Sequence, residues 1–163
     1  MKIALLSDTH GFVDQKMLDL CASADEIWHA GDIGTLEVTD ALKEVAPVRA
    51  VYGNIDSAEI RKEWPLHQRF TCAGANIWIT HIGGYPNRYS PGIRTFLQAN
   101  PPDVFICGHS HILKVMYDKQ YDLLHMNPGA MGKQGFHQVR TLLRFEINQA
   151  KVEKLEVVEL KRW

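Results

Sequence analysis

The sequence predicts an α/β protein built as a four-layer α/β/β/α sandwich, two mixed β-sheets flanked by helices. Three observations carry this expectation. The first half of the 163-residue chain alternates strand-like and helix-like patterns. The second half is richer in strands. Most runs that read as strands end in side chains able to ligate a metal ion. A β-α-β-α-β order implies parallel pairing through right-handed crossovers, and the later strands fit a second sheet packed on the first with helices outside.

Lys2 to Leu6 is a short apolar run of strand length. Asp14 is placed to cap a helix whose apolar face carries Met17, Leu18 and Cys21. Glu26 to His29 is a strand entering Gly31-Asp32. Thr35 can cap a second helix with Leu36, Leu42 and Val45, and Pro47 to Tyr52 is a third strand entering Gly53-Asn54. Phe70 to Cys72 and Ile77 to Thr80 flank a turn at Gly74. Ser90-Pro91 reads as the N-cap and first-turn proline of a helix presenting Ile93, Phe96 and Leu97. Val104 to Cys107 is a buried strand after Pro101-Pro102. Ile112 to Tyr117 and Tyr121 to Met126 form a hairpin, and Thr141 to Ile147 with Lys151 to Glu159 form another around Asn148-Gln149. In the last strand Val152, Leu155 and Val157 alternate with charges, which suits a half-exposed edge. With no repeat, low-complexity tract or linker, residues 1–163 are expected to form a single domain with one core.

Hydrophobic residues make up 45% of the chain, as in an ordinary globular protein, and the net charge is −1. A pI near 6.7 argues against a dedicated nucleic-acid binder. Cys21, Cys72 and Cys107 are widely spaced and form no C-x-x-C pair, so they read as small buried hydrophobes in a reducing compartment. The N-terminal apolar run breaks at once into Ser7-Asp8-Thr9-His10, which does not suit a signal peptide. No stretch approaches the roughly 18 apolar residues of a membrane span. The expected location is the cytoplasm, without a membrane partner.

The ligand types recur in five blocks: Asp8-Thr9-His10, Gly31-Asp32, Gly53-Asn54, Thr80-His81 and Gly108-His109-Ser110-His111. Loops leaving one edge of a sheet can bring such residues together. Two carboxylates, one carboxamide and four imidazoles at one point would suit a pair of divalent cations better than a packed core.

The order D-x-H, G-D, G-N, H, G-H-x-H resembles the signature of the calcineurin-like metallophosphoesterases, most of all their small prokaryotic phosphodiesterase branch. Asn127-Pro128-Gly129-Ala130 is similar to the N-P-G-S turn that follows the last block there. The resemblance runs from Met1 to about Phe145 and also implies the four-layer sandwich. It implies that Asp8, His10 and His111 hold one metal, that Asn54, His81 and His109 hold a second, and that Asp32 bridges them. Asp32, Asn54 and His109 count as its catalytic members. In a strand-like H-x-H both side chains face one side, so His109 and His111 would reach adjacent metals. Nitrogen and oxygen ligation without thiolate suits manganese, iron, zinc, cobalt or nickel.

Phosphate esters resist hydrolysis because an anionic nucleophile must approach an anionic phosphorus. Two cations about 3.5–4 Å apart acidify a bound water and offset charge on the phosphoryl and leaving oxygens. Asp8 and Asp32 cancel two of the four positive charges, and Asn54 with the imidazoles cancels none. The surplus favours an anionic substrate. The expected activity is therefore metal-dependent phosphoesterase, and more narrowly phosphodiesterase, by direct attack of hydroxide bound at a dinuclear site. Its expected partner is a small phosphodiester or phosphomonoester, with self-association left open.

The pattern departs from the wider superfamily at three places. Many members carry histidine after the G-N pair, placed to protonate the leaving oxygen; here it is Ile55. A positioned general acid is worth roughly 10²–10⁴ in rate, so good leaving groups such as aryl esters should be preferred. Asp56, next along, can either orient a neighbouring ligand or cap the following segment. Relatives often show H-G-H where this chain has His81-Ile82-Gly83, leading into a loop in which Tyr85 and Arg88, or Arg94, could meet substrate. Ala130 replaces the serine of N-P-G-S. His29, His67, His125 and His137 match no ligand position, though His29 and His125 lie near the blocks. Two other readings compete: a non-catalytic interaction scaffold of the same fold, like a eukaryotic retromer subunit, and a nuclease, which would need a basic groove.

Overall fold

The computed structural model describes residues 1–163. In chain order the elements are β1 (Lys2–Leu6), α1 (Gln15–Cys21), β2 (Glu26–His29), α2 (Leu36–Lys43), β3 (Val48–Ala50), α3 (Ala58–Glu63), β4 (His67–Cys72) and β5 (Ala75–Thr80). They continue with β6 (Gly84–Tyr85), β7 (Arg88–Tyr89), α4 (Pro91–Ala99), β8 (Val104–Ile106), β9 (Leu113–Asp118), β10 (Leu123–Pro128), β11 (Val139–Asn148) and β12 (Lys151–Lys161).

Ten of these strands make two five-stranded sheets, ordered β12-β11-β1-β2-β3 and β4-β5-β8-β10-β9. In the first, β1, β2 and β3 run parallel, while β11 and β12 are antiparallel additions. In the second, β5, β8 and β10 run parallel between antiparallel edge strands β4 and β9. Both sheets are therefore mixed. Their inner faces meet in a core of Ile3, Leu5 and Trp28 against Ile77, Ile79 and Ile106. On the far side of the first sheet, Ala4, Leu6 and Ile27 pack on Met17, Leu42 and Ile60 from α1, α2 and α3. On the far side of the second, Trp78, Phe105 and Leu123 pack on Ile93 and Leu97 of α4. This is the α/β/β/α order read from the sequence. All three cysteines are free and buried, and burial pushes the Cys21 and Cys107 thiols up to about 12, as befits inert packing residues.

Local chemistry explains how two of the helices begin. Asp14 accepts the Met17 N–H and so caps α1. Pro91 opens α4 in the first-turn position that its missing N–H tolerates. Several details differ from the sequence reading. Val45 lies beyond α2, and Phe96 is half exposed, with its edge against Trp78 instead of inside the α4 core. The final hairpin turns at Gln149-Ala150, one residue later than expected. Both have left-handed φ (47° and 64°), which matches the right-handed twist of the flanking strands. The segment after His81 contains a short β6-β7 hairpin that buries Tyr89, where sequence suggested a loop. Helix α3 was not foreseen: its six residues offer one buried apolar side chain, Ile60, and hence no periodic face.

Candidate metal centre

The loops after β1, β2, β3, β5 and β8 leave the same end of the two sheets and carry the five ligand blocks. They converge. Asp8, His10 and His111 form one trio of ligand atoms within 4.8 Å of one another, and Asp32, His81 and His109 form a second. Asn54 stands on the wall of a cleft that also reaches His81. Asp32 faces both trios: its Oδ2 lies 3.7 Å from His10 Nε2 and its Oδ1 lies 3.2 Å from His81 Nε2.

The backbone is bent to achieve this. Asp8, His10, Asp32, His109 and His111 all have φ between 49° and 71°. Left-handed backbone costs a non-glycine residue roughly 1–2 kcal/mol and persists where surrounding structure imposes it, commonly at functional sites. The D-x-H and H-x-H pairs therefore work through left-handed loop geometry, and not through the strand-like extension expected from their spacing. The motif glycines allow the loops to approach each other. A Cβ on Gly53 would lie 2.0 Å from Asp32 Oδ1, and one on Gly108 would lie 2.1 Å from Ser7 Oγ.

Neighbouring groups orient Asp8 and His81. Ser7 Oγ and the His109 N–H donate to Asp8 Oδ2 at 2.6 and 3.1 Å. Asp8 Oδ1 is buried without a hydrogen-bond partner, 3.2 Å from His111 Nε2. His81 Nδ1 is held 2.7 Å from the Ala30 carbonyl, so that nitrogen carries the proton and Nε2 turns inward. That Nε2 is also buried without a hydrogen bond. Two orphaned buried atoms, one carboxylate oxygen and one imidazole lone pair, are what a cation would satisfy. The donor set therefore fits bound divalent metal.

The electrostatics agree. Burial pushes the Asp32 carboxyl up, but His81, the Ile55 N–H and His10 outweigh it and hold the group below its ordinary range. Burial pulls His10 down, against Asp32 and Asp8. Burial also pulls on His81, yet Asp32, Asp8 and the Ala30 carbonyl raise it overall.

Asp56 resolves its two alternatives. Its carboxylate accepts the N–H groups of Ile33, Gly34 and Gly53 at 3.1, 2.8 and 2.7 Å, so it clamps the Asp32 loop to the Asn54 loop. The cap of α3 is Ser57 instead. His29 is fully buried; it accepts the Gly31 N–H on Nδ1 and meets Thr9 Oγ1 through Nε2 at 2.9 Å, joining the first two blocks. His125 bonds the Gly84 carbonyl, and His67 lies on the cleft wall by α4. His137 packs its ring against His111. Asn127 Nδ2 donates to the Gly108 carbonyl and to Ser110 Oγ, which fixes the last block. Sequence reading missed Ser7, Thr9 and Arg61. The first two lie within or beside the D-x-H block. Arg61 donates to the Asp56 and Asn54 carbonyls from the unforeseen α3. Tyr85 places its hydroxyl on Ser110, inside the H-x-H block. Arg88 is exposed on β7, with no ion pair or hydrogen bond to the cluster.

Comparison with known proteins gives this geometry a family. Residues 1–150 match the calcineurin-like phosphoesterase superfamily domain. The chain belongs to that superfamily. A probable metallophosphoesterase of Methanocaldococcus jannaschii is 30% identical to this superfamily member over 136 residues, which are 80% of this chain and 68% of the relative. An archaeal protein described as a novel phosphodiesterase superposes with a TM-score of 0.74 at 21% identity, over 98% of this chain and all of the other. Vps29 of Entamoeba histolytica, solved as a complex with zinc, superposes with a TM-score of 0.76 at 16% identity, over 99% of each chain. At such identities the last two likenesses speak for fold alone. For a calcineurin-like phosphoesterase, hydrolysis of phosphate esters with divalent metal is the family's chemistry, and this chain offers two groups of side chains that could hold a metal ion.

Proposed function

We propose that the protein is a phosphodiesterase dependent on two divalent cations. The carrying observation is the double reach of Asp32, one carboxylate oxygen toward His10 and the other toward His81. Asp8, His10 and His111 would hold one cation, Asn54, His81 and His109 the other, and Asp32 would be shared. The pair would supply Lewis acidity and a nucleophile from water at neutral pH. The chain's own groups do the rest. Ser7 and the His109 N–H keep one Asp8 oxygen engaged so that the other faces the site. The Ala30 carbonyl keeps the His81 Nε2 lone pair inward. Tyr85, anchored on Ser110, and Arg88, free of any ion pair, are proposed contacts for an ester group and for phosphate.

The diester reading rests on the ligand surplus of positive charge and on Ile55. This exposed side chain beside Asn54 has no proton to give, which favours substrates whose leaving group needs none. A non-catalytic scaffold would have no need of seven intact ligand positions, five of them held in left-handed backbone. Metal analysis and hydrolysis of bis(p-nitrophenyl) phosphate with manganese, nickel, cobalt, iron and zinc test the proposal, with Asp32→Asn and His109→Ala as controls. Inactivity with all five metals would leave the scaffold reading.

A further inference from the structure

The histidine cluster opens into two clefts. One, about 360 Å³, reaches Asn54 and His81 and is walled by Leu66 and Ile82. The other, about 470 Å³, reaches His10, His109 and His111 and is walled by Ile112 and Phe136. These four apolar side chains stand out in water: Leu66 and Ile82 are nearly half exposed, Ile112 is 61% exposed, and Phe136 is exposed entirely. A single exposed leucine needs no explanation. Four of them, paired on the two sides of one polar site, are poorly explained by folding, because they contribute little to the core.

The charges of the clefts are as telling. The Ile112–Phe136 cleft contains no lysine or arginine. The Leu66–Ile82 cleft contains one, Arg61, and that guanidinium is already spent on the Asp56 and Asn54 carbonyls and stacked over the Tyr52 ring at 4.7 Å. Neither cleft keeps a free cation for a second phosphate, as a nucleic-acid strand or a polyphosphate would require.

We propose that the two clefts receive the two ester groups of one phosphodiester, and that both groups are uncharged and apolar or aromatic. The phosphate lies between them on the ligand cluster. The inference rests on the phosphodiesterase reading and narrows its substrate class. A monoester fills one cleft only, and loss of apolar contact of this kind costs about tenfold or more in recognition.

The test uses the full chain loaded with zinc, with isoleucine and leucine methyl groups observed by NMR during titration with diphenyl phosphate, phenyl phosphate and dimethyl phosphate. Diphenyl phosphate should shift the methyls of Ile82 and Ile112 together. Phenyl phosphate should bind about tenfold more weakly and shift one side, and dimethyl phosphate should shift neither. Ile112→Ser should raise KM for bis(p-nitrophenyl) phosphate about tenfold at unchanged metal content. Shifts confined to one cleft, no shifts, or equal affinity for mono- and diester would overturn the proposal. Shifts on both sides without hydrolysis under any metal would uphold the two-cleft reading while removing the enzymatic one. Hydrolysis without such shifts would do the reverse.

Discussion

Asp56 accepts the backbone N–H of Gly34 at 2.8 Å, across 22 residues of chain. With its bonds to Ile33 and Gly53, this makes one buried carboxylate the clamp between the loops that carry Asp32 and Asn54. Asp56→Ala would leave three N–H groups without an acceptor, at about 1–3 kcal/mol for each that stays dry. It should lower the thermal midpoint and weaken metal binding about 10–100-fold. Asp56→Asn, which keeps one acceptor oxygen, should recover part of both. Calorimetry and metal titration measure the two effects, and a variant with wild-type values for both would rule out the clamp.

Ile55 donates its N–H to Asp32 Oδ1 at 3.1 Å while its side chain points to solvent. The backbone role survives any side chain other than proline, so Ile55→His should preserve the site and add a proton donor beside it. Hydrolysis of alkyl diesters should rise by up to about 10²-fold, whereas aryl diesters, whose leaving groups need no proton, should change little. Equal gains on both classes would count against a missing general acid.

Arg140 is buried on β11 and forms two hydrogen bonds to Asp14, at 2.9 and 3.2 Å, while Asp14 also caps α1. Burial raises the Asp14 carboxyl, but Arg140 and the Met17 N–H prevail and hold it below its usual range. This contribution is therefore complete above the ordinary carboxylate range, near pH 4, and is lost as pH falls through the depressed folded value. Asp14→Ala should destabilise by about 2–3 kcal/mol at pH 7. That is less than a fully buried pair would cost, because Asp14 is partly exposed. Denaturant unfolding should show the variant's deficit shrinking only at strongly acid pH.

His29 and His125 are lowered to about 4, chiefly by burial. Each stays neutral in the folded chain but binds a proton in the unfolded chain below about 6.5. Their contribution is complete above that pH and is lost as pH falls toward 4, on the order of 3 kcal/mol for each. Unfolding midpoints measured from pH 7 to 4.5 should fall steadily. His125→Gln, which still can donate to the Gly84 carbonyl, should flatten that slope. A midpoint independent of pH over this range would contradict the assignment.

The layered architecture and the candidate donor blocks could be read from the sequence because both are periodic or local. Ile3 and Leu5 face one side of β1 while Ala4 and Leu6 face the other, so the run itself announces a strand covered on both faces. Asp8 with His10, and His109 with His111, stand out as members of five blocks whose order carries the family resemblance. What needed tertiary structure were relations between distant residues. Arg140 looks like one more strand residue until Asp14 meets it from 126 positions away. Asp56 carries no local mark that separates a clamp from a cap. The left-handed φ of the ligands is imposed by packing, since Asp8, His10 and Asp32 have no propensity strong enough to demand it. The free oxygen of Asp8 and the inward nitrogen of His81 are likewise decided by which neighbours hold the other atom of each group. Composition and order name the donors, but hydrogen bonds made across the chain determine which lone pairs remain for a cation.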